Sequence, residues 1–262
     1  MDIIVCVKQV PDTNEVKINP QTGTLIREGI PTIMNHDDKH ALIEAVRLKG
    51  NGKVTVLSMG PPQAEEALRE ALSLGADEAI LICDRAFAGS DTWATANALG
   101  AAIKTIGKYD LLLFGRQAID GDTAQVGPQT AELLNIPQIT YAQKIVVDGN
   151  KVRVERQMEE GYEILECSLP CLITCISEIN KIEYPSLNEI KKAYRNKEVK
   201  VWSAKDINAE PGKIGLLSSP TSVKKSFTPQ AKGQGQILKG NPKEIAKNVI
   251  KMLRERELVG GF

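Results

Sequence analysis

The sequence predicts an α/β fold in which a mostly parallel sheet is covered by helices on both faces. Short segments that are apolar on both faces alternate four times with segments of helical periodicity. Parallel neighbours need helical crossovers, so this alternation predicts a doubly covered sheet. After Pro137 the sequence is rich in strand formers, which predicts an antiparallel extension of that sheet. The Gly, Pro and Ser-rich sequence towards the carboxyl terminus predicts an extended arm.

Each predicted element has its own local signal. The strands are β-rich apolar runs, and the helices carry apolar residues at helical spacing. The predicted strands are residues 2–8, 53–59, 78–83 and 109–115, and the predicted helices are residues 37–50, 62–75, 91–107 and about 123–135. In the extension, "DGN" and "EEG" predict hairpin turns. The arm ends in a predicted amphipathic helix, "PKEIAKNVIKMLRERELVG".

The charge balance argues against several kinds of partner. The 262 residues include 33 Lys and Arg and 33 Asp and Glu, so no excess charge would attract nucleic acid or an anionic membrane. No apolar run approaches the roughly 18 residues that span a bilayer. The amino-terminal segment is expected to be a strand rather than a signal peptide. Five cysteines, an odd count, fit a reducing compartment. We expect a cytoplasmic protein with no nucleic-acid partner and no membrane insertion.

Two groups of possible metal ligands are not expected to bind a metal. Cys167, Cys171 and Cys175 fall in one predicted strand, where residues four apart lie roughly 13 Å from each other and cannot share one ion. We expect them to be buried as small apolar side chains. His36 and His40 have a spacing seen in zinc sites, but they are the only two histidines and no third ligand is indicated.

A ligand-binding loop is predicted between the strand at 109–115 and the fourth helix, in "GRQAIDGDTAQVG". Thr123 is a candidate N-cap, and the helix start offers free N–H groups to a phosphate. Asp120 and Asp122 would repel a phosphate in direct contact. We expect them to cap backbone amides or to accept hydrogen bonds from ribose hydroxyls, which favours a whole nucleotide as ligand. The alternative is a well-capped turn with no ligand.

Loops after the other strands add polar residues to the same predicted sheet edge. Asn35 is a candidate cap for the first helix, and Asp37 and Asp38 fall in its first turn, where carboxylates complement the helix dipole. The other contributions are Lys8, the turn at 58–62, Ser90, Asp91, Thr92 and Thr95. No catalytic pair stands out, so any redox chemistry would come from a bound cofactor.

Five separated blocks resemble the β subunit of electron-transfer flavoproteins. In order over about residues 1–200, they are "VCVKQVPD", "MNHDDKHALIEAVRLK", "SMGPPQAEEALREALSLGADEAIL", "GRQAIDGDTAQVGPQTAELL" and "LPCLITCISEINKIEYPSLNEIKKA". The resemblance implies a Rossmann-like sheet of the adenine-nucleotide α-hydrolase type and a heterodimer with an α subunit that carries FAD. It also implies a nucleotide-binding domain at 1–200 and, by architectural analogy, an arm at 201–262 that packs on the α subunit.

The resemblance implies an adenine nucleotide at the sheet edge. The implied contacts are Cys6, Asn35, His36, Asp37, Asp38, Met59, Gly115, Arg116, Gln117, Ala118, Ile119, Asp120, Gly121, Asp122, Thr123, Ala124, Gln125 and Val126. In the housekeeping branch of the family this nucleotide is AMP in a structural role, and in the electron-bifurcating branch it is FAD that takes a hydride from NADH. Gly121 favours FAD, because AMP-binding members tend to carry an acid there and glycine lets the backbone approach a pyrophosphate. Asp91, Thr92 and Thr95 would then lie near the flavin.

The resemblance also implies partners. The segment 180–197 matches the loop that docks an acyl-CoA dehydrogenase or related flavin dehydrogenase, with Leu187 as its apolar anchor. In the bifurcating branch one electron goes to the α-subunit FAD and the other to ferredoxin, so the chain would be an electron-transfer subunit and not an enzyme alone. Two further hypotheses stay open. One is the AMP-binding housekeeping subunit, and the other is a regulatory module of the universal-stress type, which lacks the docking loop and the arm.

Overall fold

A computed structural model describes residues 1–12, 31–224 and 235–259. The chain divides into two compact units, Met1–Lys224 and Lys225–Phe262. The first unit extends to Lys224. The domain boundary expected at residue 200 therefore falls inside this unit, in the strand Val199–Trp202.

The described residues form eleven strands and six α-helices. The strands are β1 (Ile3–Cys6), β2 (Gln9–Pro11), β3 (Thr32–Met34), β4 (Val54–Met59), β5 (Glu78–Ile82), β6 (Leu111–Gly115), β7 (Gln138–Asp148), β8 (Lys151–Gln157), β9 (Tyr162–Ser168), β10 (Cys171–Cys175) and β11 (Val199–Trp202). The helices are α1 (His36–Leu48), α2 (Glu65–Ser73), α3 (Thr92–Ile106), α4 (Val126–Leu134), α5 (Leu187–Arg195) and α6 (Pro242–Glu255).

Nine of these strands form one sheet in the order β11-β5-β4-β1-β6-β10-β7-β8-β9. Every neighbouring pair from β11 to β7 is parallel, and the β7–β8 and β8–β9 pairs are antiparallel. The prediction of a mostly parallel α/β sheet is confirmed. The predicted antiparallel extension is confirmed for the β7–β8 and β8–β9 pairs, but β10, in the same region after Pro137, pairs parallel with β6 and β7. β10 is buried along its entire length, as is typical of a central parallel strand, and it lies between β6 and β7.

Helices cover both faces of the sheet, as predicted. Ile3 and Val5 of β1 belong to a core that also contains Leu42 of α1 and Leu68 of α2. Ile4, between them in the chain, faces the opposite core, whose residues come from α3, α4 and the segment after β11. Successive side chains of a strand point to opposite faces, so β1 contributes to both cores.

The segment that follows β11 packs on the loop between β5 and α3. The Gly215 amide donates a hydrogen bond to the Ser90 hydroxyl (3.0 Å), and the Asp91 carboxylate accepts hydrogen bonds from the Thr221 amide (2.9 Å) and hydroxyl (2.8 Å). Gly215 has a φ of 74°, and a Cβ atom placed there would lie 2.3 Å from the Ala86 carbonyl oxygen. Glycine is therefore required for this close approach.

The second unit contains the predicted carboxyl-terminal helix, α6. The Asn241 side chain caps it by accepting a hydrogen bond from the Glu244 amide (3.0 Å). The helix is amphipathic and has no buried residue. Across the described ranges, no helix has both the length and the apolar character needed to cross a membrane.

We expect Gly215→Ala to lower the free energy of unfolding by about 2 kcal/mol, because the new methyl group would meet a carbonyl oxygen and the backbone would be held in the left-handed region. Gly212→Ala is the matched control, since a Cβ at Gly212 meets no atom of the described residues within 4 Å. Urea denaturation of both variants measures the difference. Equal midpoints for the two variants would contradict the close approach.

Candidate functional site

Three central strands end side by side at one edge of the sheet. Cys6, Met59 and Gly115 are the last residues of β1, β4 and β6, and the register pairs Cys6 with Leu57 of β4 and with Phe114 of β6. The chain passes from β1 to β4 and β5 on one side and then returns to β6 on the other side. This reversal makes the β1/β6 boundary a topological switch point, where ligands of open α/β sheets bind. We call residues 7–8 and 116–125 the switch-point loops.

A buried carboxylate, that of Asp38, links the loop after β1 to the end of β6. It lies in the first turn of α1 and accepts hydrogen bonds from the Lys8 amide (2.8 Å) and the Gly115 amide (3.1 Å). A Cβ atom at Gly115 would lie 2.3 Å from this carboxylate, so only glycine allows the contact. Burial raises the pKa of Asp38 to about 7, although both hydrogen bonds act to lower it.

Asn35 forms a second connection between α1 and the loop after β6. Its side-chain amide donates to the Gln117 carbonyl (2.9 Å) and its side-chain oxygen accepts from the Ile119 amide (3.1 Å). Asn35 occupies the N-cap position, but its side chain makes no capping hydrogen bond, so the expectation that it caps α1 was wrong in this respect. The fully buried Asn35 side chain instead satisfies two backbone groups of the loop, which would otherwise lose their hydrogen bonds.

The acidic residues of the site are paired within the chain. Asp120 accepts hydrogen bonds from the Lys8 ammonium through both oxygens (2.7 and 2.8 Å), and Asp37 lies 3.3 Å from the Arg116 guanidinium. The Asp122 carboxylate contacts the Gln117 side-chain amide. None of these contacts of Asp120 and Asp122 is a backbone cap, so that part of the expectation was wrong. Their partners are instead the Lys8 ammonium and the Gln117 side-chain amide.

The loop after β6 is longer than predicted. The α4 helix begins at Val126, with Gln125 in the N-cap position and no side-chain cap, so Thr123 is not the cap. Asp122 and Ala124 both have a φ of 52°, a left-handed conformation that interrupts helical geometry just before α4. Gly121 is exposed, and a Cβ placed there would meet no described atom within 4 Å. The fold therefore leaves open space beside Gly121.

The loop before α3 lies against the same site. The Thr92 hydroxyl donates to the Gln125 side-chain oxygen (3.0 Å), which links the starts of α3 and α4. Asp91 caps α3 by accepting from the Ala94 amide (3.0 Å). Its other oxygen binds Thr221, so both oxygens of this carboxylate have partners within the chain. Thr221 was not predicted, because about 130 residues separate it from Asp91 and no local pattern indicates such a contact.

The structure brings most of the predicted site residues to this edge and keeps others apart. His36 is exposed at the start of α1, and His40 hydrogen-bonds the Asn180 side chain (2.8 Å) instead of joining a metal cluster. Among the described residues, no group of three or more His, Cys, Asp or Glu could hold a metal ion. Leu187 lies on α5, which packs on α2, and 85% of its surface is exposed.

The prediction that Cys167 and Cys171 lie on one strand was wrong. Cys167 is on β9 and Cys171 begins β10, with a turn between them at Pro170. The expected separation of roughly 13 Å applied only to residues of one continuous strand. Burial raises the pKa of both thiols, so they stay protonated.

The topology and the paired switch-point loops define the class of protein, a doubly wound α/β protein with a candidate binding crevice between β1 and β6. Comparison with known proteins gives the family. The model described as "Electron transfer flavoprotein domain" matches residues 22–207. The chain therefore belongs to the electron transfer flavoprotein family, and its relatives place it among the β subunits.

Three relatives match almost end to end. The electron transfer flavoprotein subunit beta of Thermoanaerobacterium thermosaccharolyticum is 55% identical, and that of Clostridium acetobutylicum is 53% identical. The caffeyl-CoA reductase-Etf complex subunit CarD of Acetobacterium woodii is 51% identical. Each match covers 99% of this chain and 100% of the relative.

The raised pKa of Asp38 predicts a pH-dependent stability. The carboxyl has an ordinary pKa of 3.8 and a pKa of about 7 in the folded chain, so the folded state retains a proton that the unfolded state releases in between. The contribution of this proton to the free energy of unfolding is fully present below pH 3.8 and is lost as the pH rises towards 7. Relative to Asp38→Asn, we expect the wild type to lose about 2–3 kcal/mol of unfolding free energy between roughly pH 5 and pH 7.

Urea denaturation across this range measures that loss. Asp84→Asn is the control, because backbone hydrogen bonds lower the pKa of this exposed carboxyl and it stays charged throughout the range. Parallel pH profiles for the wild type and Asp38→Asn would show that the Asp38 carboxyl is not perturbed.

Proposed function

We propose that this chain is the β subunit of a heterodimeric electron-transfer flavoprotein and that its candidate crevice holds FAD. The observation that carries the proposal is the loop after β6. It is fixed to α1 and β1 through Asp38, Asn35 and Lys8, its acids are paired, and open space remains beside Gly121. Such a loop is rigid and charge-balanced, as a site for a large anionic ligand needs to be.

The residues present fit the parts of a dinucleotide. The start of α4 carries backbone N–H groups with no side-chain cap, and these groups with the helix dipole favour a pyrophosphate. Arg116 and Lys8 are partly exposed and pair with Asp37 and Asp120, so they offset the negative charge of these acids at the same edge. Met59 at the end of β4 is partly exposed and offers an apolar contact there, with the buried Cys6 beneath the same edge. Glycine at position 121 gives the ligand access to the backbone.

In this proposal the chain's own residues bind and orient the cofactor, and the cofactor supplies the redox chemistry. FAD bound here would accept electrons from NADH and pass them singly to the α-subunit FAD and to ferredoxin. Thr92 and Gln125 hold the starts of α3 and α4 together, so they keep the rim of the crevice in place. Asp91 supports this rim by capping α3. The Acetobacterium woodii relative is a subunit of a caffeyl-CoA reductase-Etf complex, and this favours a dehydrogenase-type partner for this chain as well.

The cofactor content of the purified αβ complex tests the proposal. We expect about two FAD per heterodimer, and we expect anaerobic addition of NADH to bleach the flavin absorbance. One FAD and one AMP per heterodimer would contradict FAD in this crevice and would favour the housekeeping subunit. A stable, flavin-free homodimer that does not combine with an α chain would favour the regulatory module.

The start of α5 is the proposed docking site for the dehydrogenase partner. Leu187 and Tyr184 expose 85% and 94% of their surfaces, and such large exposed apolar side chains are suited to insertion into a partner's pocket. Ser186 and Glu189 form a capping box that fixes the helix start. Leu187 is therefore presented on a rigid element. Lys191 and Lys192 on the same helix provide a basic rim.

We expect Leu187→Ala to weaken binding of the acyl-CoA dehydrogenase-type partner by about fivefold or more, because a central apolar anchor contributes more than about 1 kcal/mol to an interface. The measurement is the partner concentration that gives half-maximal electron transfer to the αβ complex. Leu217→Ala, the same truncation at another fully exposed leucine, is the control. An unchanged half-maximal concentration in Leu187→Ala would remove Leu187 from the docking site.

A further inference from the structure

Lys8 makes three contacts that hold the switch-point loops together. Its amide donates to the Asp38 carboxylate (2.8 Å), and its carbonyl accepts from the Asn35 amide (2.9 Å). Its ammonium reaches the Asp120 carboxylate, with 2.7 and 2.8 Å to the two oxygens. The backbone contacts fix Lys8 to α1, and the side chain extends this fixed point to the far part of the loop after β6.

The Lys8–Asp120 pair is also electrostatically important. The Asp120 side chain is 11% exposed, whereas Lys8 is 44% exposed, so the acid is the more deeply placed partner. A carboxylate two residues from Asp122, in a loop that precedes a helix start, would repel a phosphate there. Partial burial would strengthen that repulsion, since Coulomb energies grow as the effective dielectric constant falls. The ammonium of Lys8 removes most of this repulsion by neutralising Asp120.

We propose that Lys8 is a positioning residue that neutralises Asp120 and so allows the loop after β6 to accept a phosphate-bearing nucleotide. This inference rests on the proposed nucleotide site, but it holds for either nucleotide, since FAD and AMP both carry phosphate. In this role Lys8 acts through Asp120. The competing role is direct contact of the Lys8 ammonium with the phosphate, in which Asp120 would only orient the lysine.

Three variants of the αβ complex separate these roles. Lys8→Met keeps the length of the side chain but leaves Asp120 without its Lys8 partner, so we expect the nucleotide to leave the β site at least about tenfold faster. Asp120→Asn keeps the shape of the acid and removes its charge, so we expect a change of less than about threefold. The double variant Lys8→Met/Asp120→Asn lacks both charges, and we expect it to return to within about threefold of the wild type.

The measurement is the rate at which adenine nucleotide is lost from the β site of the purified complex during dialysis, with FAD and AMP quantified separately in the retained protein. Lys49→Met is the matched control. It breaks a comparable lysine–aspartate pair, that of Lys49 with Asp77 (2.8 Å), which lies before β5 at the opposite end of the strands. We expect this control to release nucleotide at the wild-type rate.

Two results would overturn the proposal. If the double variant releases nucleotide as fast as Lys8→Met, the ammonium contacts the phosphate directly and charge neutralisation is not its role. If Lys8→Met retains nucleotide like the wild type, the pair does not position the site. The identity of the retained nucleotide tests the proposed function separately: AMP would contradict the FAD assignment and leave the comparison among the variants intact. A wild-type β site that retains neither nucleotide would contradict both proposals.

Discussion

The architecture of the candidate site depends on one buried carboxylate. At the strand ends of a topological switch point, some backbone amides need hydrogen-bond partners that the sheet no longer supplies. Asp38 accepts hydrogen bonds from one such amide on each side, and it does so from the first turn of α1, where the helix dipole favours a negative charge. Both loops and the first helix are thereby fixed as a unit. The energetic cost of this arrangement appears in the raised pKa of Asp38.

The charge distribution of the loop after β6 follows from this arrangement. Two aspartates on either side of a glycine look unsuitable for a loop that receives phosphate. In the folded chain, Asp120 is neutralised by Lys8, and Asp122 turns to the Gln117 amide. Acidic charge in this loop is thus offset within the chain, and the whole sequence likewise has equal numbers of acidic and basic residues. A ligand at this edge would meet backbone amides and paired charges, and binding would depend on local geometry more than on long-range attraction.

The sequence was sufficient to predict the sheet, its first four strand–helix alternations and the edge at which polar residues collect. These features follow from periodicity, which is a local property. The sequence was insufficient to predict contacts in which side chains choose partners that are distant in the chain. Thr123 and Asn35 are good capping residues by type, yet α4 begins three residues after Thr123, and Asn35 binds the loop after β6. The direction of β10 was missed for a related reason, because a buried apolar strand reads the same in parallel and antiparallel pairing.

The contact between Thr221 and Asp91 has a mechanical consequence. The same carboxylate caps α3 and holds the segment that leads out of the first compact unit at Lys224. Tension on the chain beyond that point would therefore be borne first by the helix cap next to the candidate crevice. Loss of the Thr221 contact would take two hydrogen bonds from the carboxylate that caps α3.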